Sequence, residues 1–213
     1  MMNSPVWPTF KRPLVAIIRG IENHEVEDIL TVLVEEGFEA IEIPLNSPNP
    51  WVSIAKAVEL FGSKVLIGAG TVLSVDDVEK LVAVGGKLMV SPNTNAEVIK
   101  AAAAHGIYSM PGCYTATEAL IAVHSGASAL KFFPAGTLGP SGIAGIKTIL
   151  PKDAVIGAVG GVSEHNFADY AKVGIKTFGI ATSLYQPGDD AATVREKARG
   201  IIAAYDVVYG VEA

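Results

Sequence analysis

The 213-residue chain has one cysteine, Cys113, and four scattered histidines, His24, His105, His124 and His165. A single thiol cannot close an intramolecular disulfide or form a CxxC redox pair, and without HExxH spacing or a close histidine pair no protein-built zinc site is expected. Charge is scarce as well: 18% of residues are charged and 50% are hydrophobic. Such a chain is a poor candidate for disorder or a coiled coil and has ample material for a core. Basic residues are the rarer sign, with 16 Lys and Arg against 22 Asp and Glu and a net charge of −6. No footprint for nucleic acid is left, although a small phosphorylated substrate is still permitted. The longest apolar runs, such as Pro13–Ile18, fall well short of a membrane span, and Met-Met-Asn-Ser-Pro at the start lacks the charged-then-apolar order of a signal peptide. A cytoplasmic protein with no membrane partner is expected.

What fills the sequence is repetition. Short β-branched or apolar runs alternate with amphipathic stretches of helical length, the pattern of repeated βα units. Eight strands are predicted, over 14–19, 40–43, 65–70, 88–91, 107–110, 129–132, 155–159 and 177–180. Eight helices are predicted between and after them, over 24–36, 50–61, 75–84, 95–104, 116–124, 142–150, 164–172 and 192–205. Asn23, Ser74 with Asp77, and Ser163 with Asn166 stand where N-caps are needed. Gly37, Gly85, Gly106, Gly126 and Gly174 stand where a helix ends in a left-handed residue. Eight such units with right-handed crossovers predict a single α/β domain, a (β/α)8 TIM barrel over 13–213, with residues 1–12 as a lead-in or a plug under the barrel; an open doubly wound sheet is the competing topology.

Barrel sites are built at the carboxyl ends of the strands. Arg19 ends the first strand, Glu42 interrupts Ile41 and Ile43 in the second, and Lys131 interrupts Leu130 and Phe132 in the sixth. If the apolar neighbours face the helices, alternation turns Glu42 and Lys131 into the barrel, and strands four apart in a ring of eight place them across the lumen from each other. Desolvation favours a neutral amine at Lys131, the form that attacks a carbonyl to make an imine, and a carboxyl at Glu42 able to carry protons near neutral pH. A buried structural ion pair is the plainer alternative, but it is a weak stabilising device. Gly160-Gly161 follows the seventh strand and Gly179–Ser183 closes the eighth, the two places where barrels commonly hold phosphate. Gly68-Ala69-Gly70-Thr71 is too incomplete for a dinucleotide fingerprint, so Thr71 more simply offers its hydroxyl to the site, while Pro92, Pro111 and Pro134 turn the chain past strand ends. The histidines read as surface residues and Cys113 as a small loop residue.

Leu130-Lys131-Phe132-Phe133-Pro134, Gly68-Ala69-Gly70-Thr71-Val72, Ile41-Glu42-Ile43-Pro44-Leu45, Ser91-Pro92-Asn93 and Gly160-Gly161-Val162 together resemble the blocks of the 2-keto-3-deoxy-6-phosphogluconate/6-phosphogalactonate aldolases, over about 13–185. The resemblance implies a class I pyruvate aldolase on a homotrimeric barrel that needs no cofactor or metal. It makes Lys131 the Schiff-base lysine and Glu42 the acid/base. It places Thr71, Pro92 and Phe133 in the pyruvate half of the pocket, and Gly160, Gly161 and Ser183 at the phosphate. The gluconate-type pattern usually has arginine at position 46 and threonine at position 159; here stand Asn46 and Val159, with Arg19 as the available cation. The chain is thus similar to the galactonate-degrading branch. This implies reversible cleavage of 2-dehydro-3-deoxy-6-phosphogalactonate to pyruvate and D-glyceraldehyde 3-phosphate, with Arg19, Asn46 and Val159 meeting the substrate. Activity on the C4 epimer, a sugar-phosphate isomerase or epimerase, and a non-catalytic sugar-phosphate-binding barrel are the alternatives.

Overall fold

Apolar runs two to five residues long become strands buried on both faces, and the amphipathic segments between them pack their apolar sides onto the sheet. The computed structural model describes residues 4–212. In chain order the elements are β1 (Leu14–Ile17), α1 (Val26–Glu35), β2 (Ala40–Pro44), α2 (Pro50–Phe61), β3 (Leu66–Gly70), α3 (Val75–Ala83), β4 (Leu88–Val90), α4 (Ala96–Ala104), β5 (Tyr108–Met110), β6 (Gly112–Cys113), α5 (Ala116–His124), β7 (Leu130–Phe132), α6 (Ala135–Lys147), β8 (Ile156–Val159), α7 (Phe167–Ala171), β9 (Thr177–Ile180) and α8 (Ala191–Tyr209).

Every strand pair is parallel, in the order β5-β4-β3-β2-β1-β9-β8-β7-β6. The nine strands make eight staves, because β5 and β6 are one stave broken at Pro111. Proline has no N–H to give to a ladder. Its carbonyl still accepts from the Lys131 N–H at 2.9 Å, and Ser109 O accepts from Ala129 N at 3.0 Å, so the ring closes across the break. The barrel reading holds and the open doubly wound sheet does not.

Two apolar layers result. Leu14, Ala16, Ile41, Ile43, Leu130, Phe132, Ala158, Phe178 and Ile180 face the helices. Val15, Ile17, Ala40, Leu88, Val90, Met110, Ala129 and Val159 fill the lumen together with Trp7 from the lead-in. Of the lead-in expected over 1–12, residues 1–3 lie outside the described residues. The rest is pinned by Arg12, whose guanidinium donates twice to Asp206 at 2.6 Å.

The capping box of Ser74 and Asp77 forms as expected, and the five helix-ending glycines all have positive φ. Asn23 is not a cap: Glu25 precedes α1 without a side-chain bond, and Asn23 Oδ1 instead accepts from Ser53 Oγ at 2.5 Å. Ser163 does not open α7 either. The Asn166 side chain accepts from the Ser163 N–H at 3.1 Å, a local turn that delays the helix to Phe167. The sixth helix begins at Ala135, seven residues earlier than expected, and breaks at Gly139 (φ 71°, ψ 162°). Its glycines and Pro140 read as loop, yet proline is well suited to the first turn of the second piece. Among the described residues no helix is long and apolar enough to cross a membrane.

Candidate active site

Since Ile41 and Ile43 face outward, the residue between them must face the lumen; the same holds for the residue between Leu130 and Phe132. Glu42 and Lys131 are therefore buried in the barrel, 2% and 6% exposed, on staves four apart. No salt bridge among the described residues joins them, so neither is spent neutralising the other at contact. Glu42 Oε2 is buried without a hydrogen-bond partner among the described residues. Burial pushes the Glu42 carboxyl up to about 7 against the pull of Lys131 and Arg19. Burial likewise drives the Lys131 ammonium toward the neutral amine; Glu42 opposes this and Arg19 reinforces it. The Lys131 Nζ stands 4.8 Å from the centroid of the Phe133 ring.

Two residues at the end of β3 shape this space. A Cβ on Gly70 would lie 1.9 Å from Glu42 Oε2, so only glycine lets the carboxylate occupy its place. Thr71 follows with φ 58°, a left-handed conformation that costs a β-branched residue about 1–3 kcal/mol and is characteristic of functional sites.

Arg19 and Asn46 come together: Arg19 Nη1 donates to Asn46 Oδ1 at 2.6 Å. Val159 packs in the lumen, and a Cβ on Gly179 would meet its side chain at 2.8 Å. Gly160 (φ 83°) and Gly161 (φ 78°) are consecutive left-handed residues that only glycine adopts freely. Gly160 O accepts from the Gly136 N–H at 2.8 Å, Gly161 O accepts from Asn166 Nδ2 at 2.9 Å, and the Phe133 ring would be 3.0 Å from a Cβ at Gly160. The glycine pair, Phe133 and the start of α6 thus form one continuous wall. Ser183 Oγ, on the loop after β9, is buried with no hydrogen-bond partner among the described residues. Pro92 lies beside the stave that pairs with Lys131: its carbonyl packs against Gly112, the residue in register with Lys131.

Sequence reasoning gave no role to Gly70, Ser47 or Gly136. The glycine two residues after Pro134 was the available signal for the last. Cys113 is not a loop residue: it lies in β6, 2% exposed, with Sγ 3.8 Å from Lys131 O, and burial pushes its thiol up to about 12. The four histidines are exposed, as expected. Among the described residues no group of three or more His, Cys, Asp or Glu is placed to hold a metal ion. A cavity of about 370 Å³ lies beside Trp7 at the opposite end of the barrel, and neither Lys131 nor Glu42 lines it.

Residues 9–189 match the family model described as KDPG and KHG aldolase. The chain is 57% identical over 203 residues, 95% of its length and 96% of the relative's, to a probable 2-dehydro-3-deoxy-6-phosphogalactonate aldolase of Rhizobium meliloti (strain 1021). It is 42% identical over 199 residues, 93% of its length and 97% of the relative's, to the 2-dehydro-3-deoxy-6-phosphogalactonate aldolase of Escherichia coli (strain K12). The solved structure described as native KDPGal superposes with a TM-score of 0.94 at 41% identity, covering 96% of this chain and 99% of that one.

Proposed function

The chain belongs to the KDPG and KHG aldolase family, and we propose that it is a class I aldolase cleaving 2-dehydro-3-deoxy-6-phosphogalactonate reversibly to pyruvate and D-glyceraldehyde 3-phosphate through Lys131 and Glu42. The observation that carries this reading is the pair itself: an amine and a carboxyl, both buried in one lumen, both driven toward their neutral forms and not bonded to each other. The printed names of the two relatives support the substrate.

The neutral Lys131 Nζ attacks the C2 ketone and forms a carbinolamine. Glu42, in its acid form, protonates the departing hydroxyl, water leaves, and a protonated imine remains. Glu42, now a carboxylate, takes the C4 hydroxyl proton as the C3–C4 bond breaks; its electron pair moves into the imine, giving an enamine and free glyceraldehyde 3-phosphate. Protonation at C3 and hydrolysis then release pyruvate and the amine. A carboxyl near 7 suits both directions of this traffic, because the best proton carrier has a pKa close to the working pH.

Thr71 and Phe133 shape the pyruvate end, with Pro92 beyond Gly112. Gly160, Gly161 and Ser183 receive the phosphate, and the partnerless Ser183 hydroxyl is a donor suited to it. Arg19, Asn46 and Val159 meet the sugar hydroxyls or the carboxylate. The methyl of Val159 offers no hydrogen bond, which sets the preference between C4 epimers, since an unpaired buried hydroxyl is strongly penalised. The protein works as a cytoplasmic homotrimer in galactonate degradation, with the exposed Leu73 and Tyr114 as apolar surface available for a subunit contact.

The test is borohydride reduction in the presence of pyruvate. A covalent adduct on Lys131, located by peptide mass, is expected; no adduct, or normal turnover by Lys131→Ala, overturns the mechanism. A comparison of kcat/KM on the two C4 epimers checks the substrate, with the galactonate form preferred.

A further inference from the structure

Among the described residues Arg19 is the one cation besides Lys131 whose charge acts on the Glu42–Lys131 pair, and it belongs to a turn rather than a strand. Its own side chain is exposed, and so is that of Asn46, to which it donates. Something more rigid must fix where the turn stands. The Gly20 N–H donates to Ser47 Oγ at 2.9 Å, and Ser47 is 7% exposed. The Ser47 N–H in turn donates to Pro44 O at 2.9 Å, tying the hydroxyl to the end of β2, the strand that carries Glu42. On its other side Gly20 (φ 84°) lies so close to the loop after β9 that a Cβ would be 2.6 Å from Pro187 Cγ.

We propose that Ser47 is a positioning residue for the reaction: its buried hydroxyl, by holding the Gly20 peptide, sets where the Arg19 guanidinium stands relative to Glu42 and Lys131. The inference rests on the reading that these two residues carry out the chemistry. Asn46 supplies the direction of the guanidinium, whereas Ser47 supplies the anchorage of its backbone.

The electrostatic consequence has a sign. The charged groups acting on Lys131 are Glu42 and Arg19, and those acting on Glu42 are Lys131 and Arg19. Arg19 disfavours the Lys131 ammonium and favours the Glu42 carboxylate, so it lowers both titrations. Loosening Arg19 lets both rise. The whole pH profile should move to higher pH instead of merely losing height, which a purely structural loss of Ser47 does not predict.

The test compares Ser47→Ala, Ser47→Thr and Arg19→Ala with the unmutated protein by kcat/KM from pH 5 to pH 10, the rate of borohydride trapping with pyruvate, and Tm. S47A is expected to lose about tenfold in kcat/KM, within the range for a misplaced binding group, and to shift both limbs upward. S47T, which keeps the hydroxyl, restores the profile. In the double variant S47A adds little to R19A, because the two losses share one route. An unmoved profile in folded S47A, or fully additive losses in the double variant, overturns the proposal. If S47A does not fold, Ser47→Cys, which keeps the volume and weakens the acceptor, carries the same comparison. Failure of the unmutated protein to trap pyruvate refutes the Schiff-base reading and this inference with it; a normal adduct with an unmoved S47A profile refutes the role of Ser47 alone.

Discussion

Replacing Gly70 by alanine should disable the site while leaving the barrel standing. The added Cβ would lie 1.9 Å from Glu42 Oε2, 2.3 Å from Cδ and 2.4 Å from Oε1, where ordinary contact begins at 3.4 Å. The carboxylate must therefore retreat by about 1.5 Å, and a misplacement of about 1 Å can cost a hundredfold in rate. A hundredfold corresponds to about 2.7 kcal/mol of barrier. The effect on stability is smaller: overpacking costs about 1–3 kcal/mol, offset by about 0.4–1 kcal/mol from the stiffer unfolded chain. The remainder, about 0–2.6 kcal/mol, lowers Tm by at most about 10 °C in a domain of this size. Gly68→Ala is the natural contrast. There the Cβ would meet the backbone carbonyl of Leu88 at 1.8 Å, and backbone cannot swing aside. G68A should lose the fold, and G70A should lose kcat. Pyruvate release coupled to a lactate dehydrogenase reaction, alongside thermal melts, separates the two. A folded G70A whose kcat stays within about threefold of the parent would show that the carboxylate is not needed where the structure places it.

Three further outcomes follow from the same geometry. The Glu42 carboxyl titrates at about 7 in the fold, above its unfolded range, so the native state holds the extra proton, and this group's contribution to stability is fully present below its unfolded range and lost as pH rises through about 7. Glu42→Gln should therefore gain on the parent by on the order of 3 kcal/mol between pH 4 and pH 8, read from chemical melts at the two ends; a constant difference would contradict the buried acid. Asp206→Ala removes two 2.6 Å bonds to Arg12 and should cost about 2–3 kcal/mol, or about 4–12 °C in Tm, with kcat unchanged because the pair lies at the far end of the barrel. Val159→Thr should shift the ratio of kcat/KM between C4 epimers toward the gluconate form by about 10- to 100-fold, and an unaltered ratio would remove Val159 from the specificity argument.

The strand ladder was legible because buried β-branched runs and helix-ending glycines recur with little else between them, and the inward placement of Lys131 and Glu42 was legible because their apolar neighbours face the helices. What the sequence did not disclose depends on contacts between distant segments. Gly70 looked like half of a fingerprint, and its purpose appears only when Glu42 is placed against it. Ser47 carries no signal of its own in the sequence, and its role emerges only from the bond it accepts from the Gly20 N–H. The early start of α6 was hidden by glycines and a proline whose local preferences favour loops, and the shortened α7 by an asparagine side chain that bonds to a turn in place of capping a helix. In each case a tertiary partner decided between two locally acceptable conformations.

The break at Pro111 ties reactivity to completion of the fold. The backbone of Lys131 hangs from the carbonyl of Pro111, on the one stave that is made in two pieces and that joins the first half of the ring to the second. Until that seam is made, the amine has neither its neighbours nor its desolvation, and it remains an ordinary charged lysine. With Lys131 as the imine-forming residue proposed above, imine trapping reads ring closure as well as catalysis, and during refolding its onset should follow closure of the Pro111 seam rather than the appearance of helix.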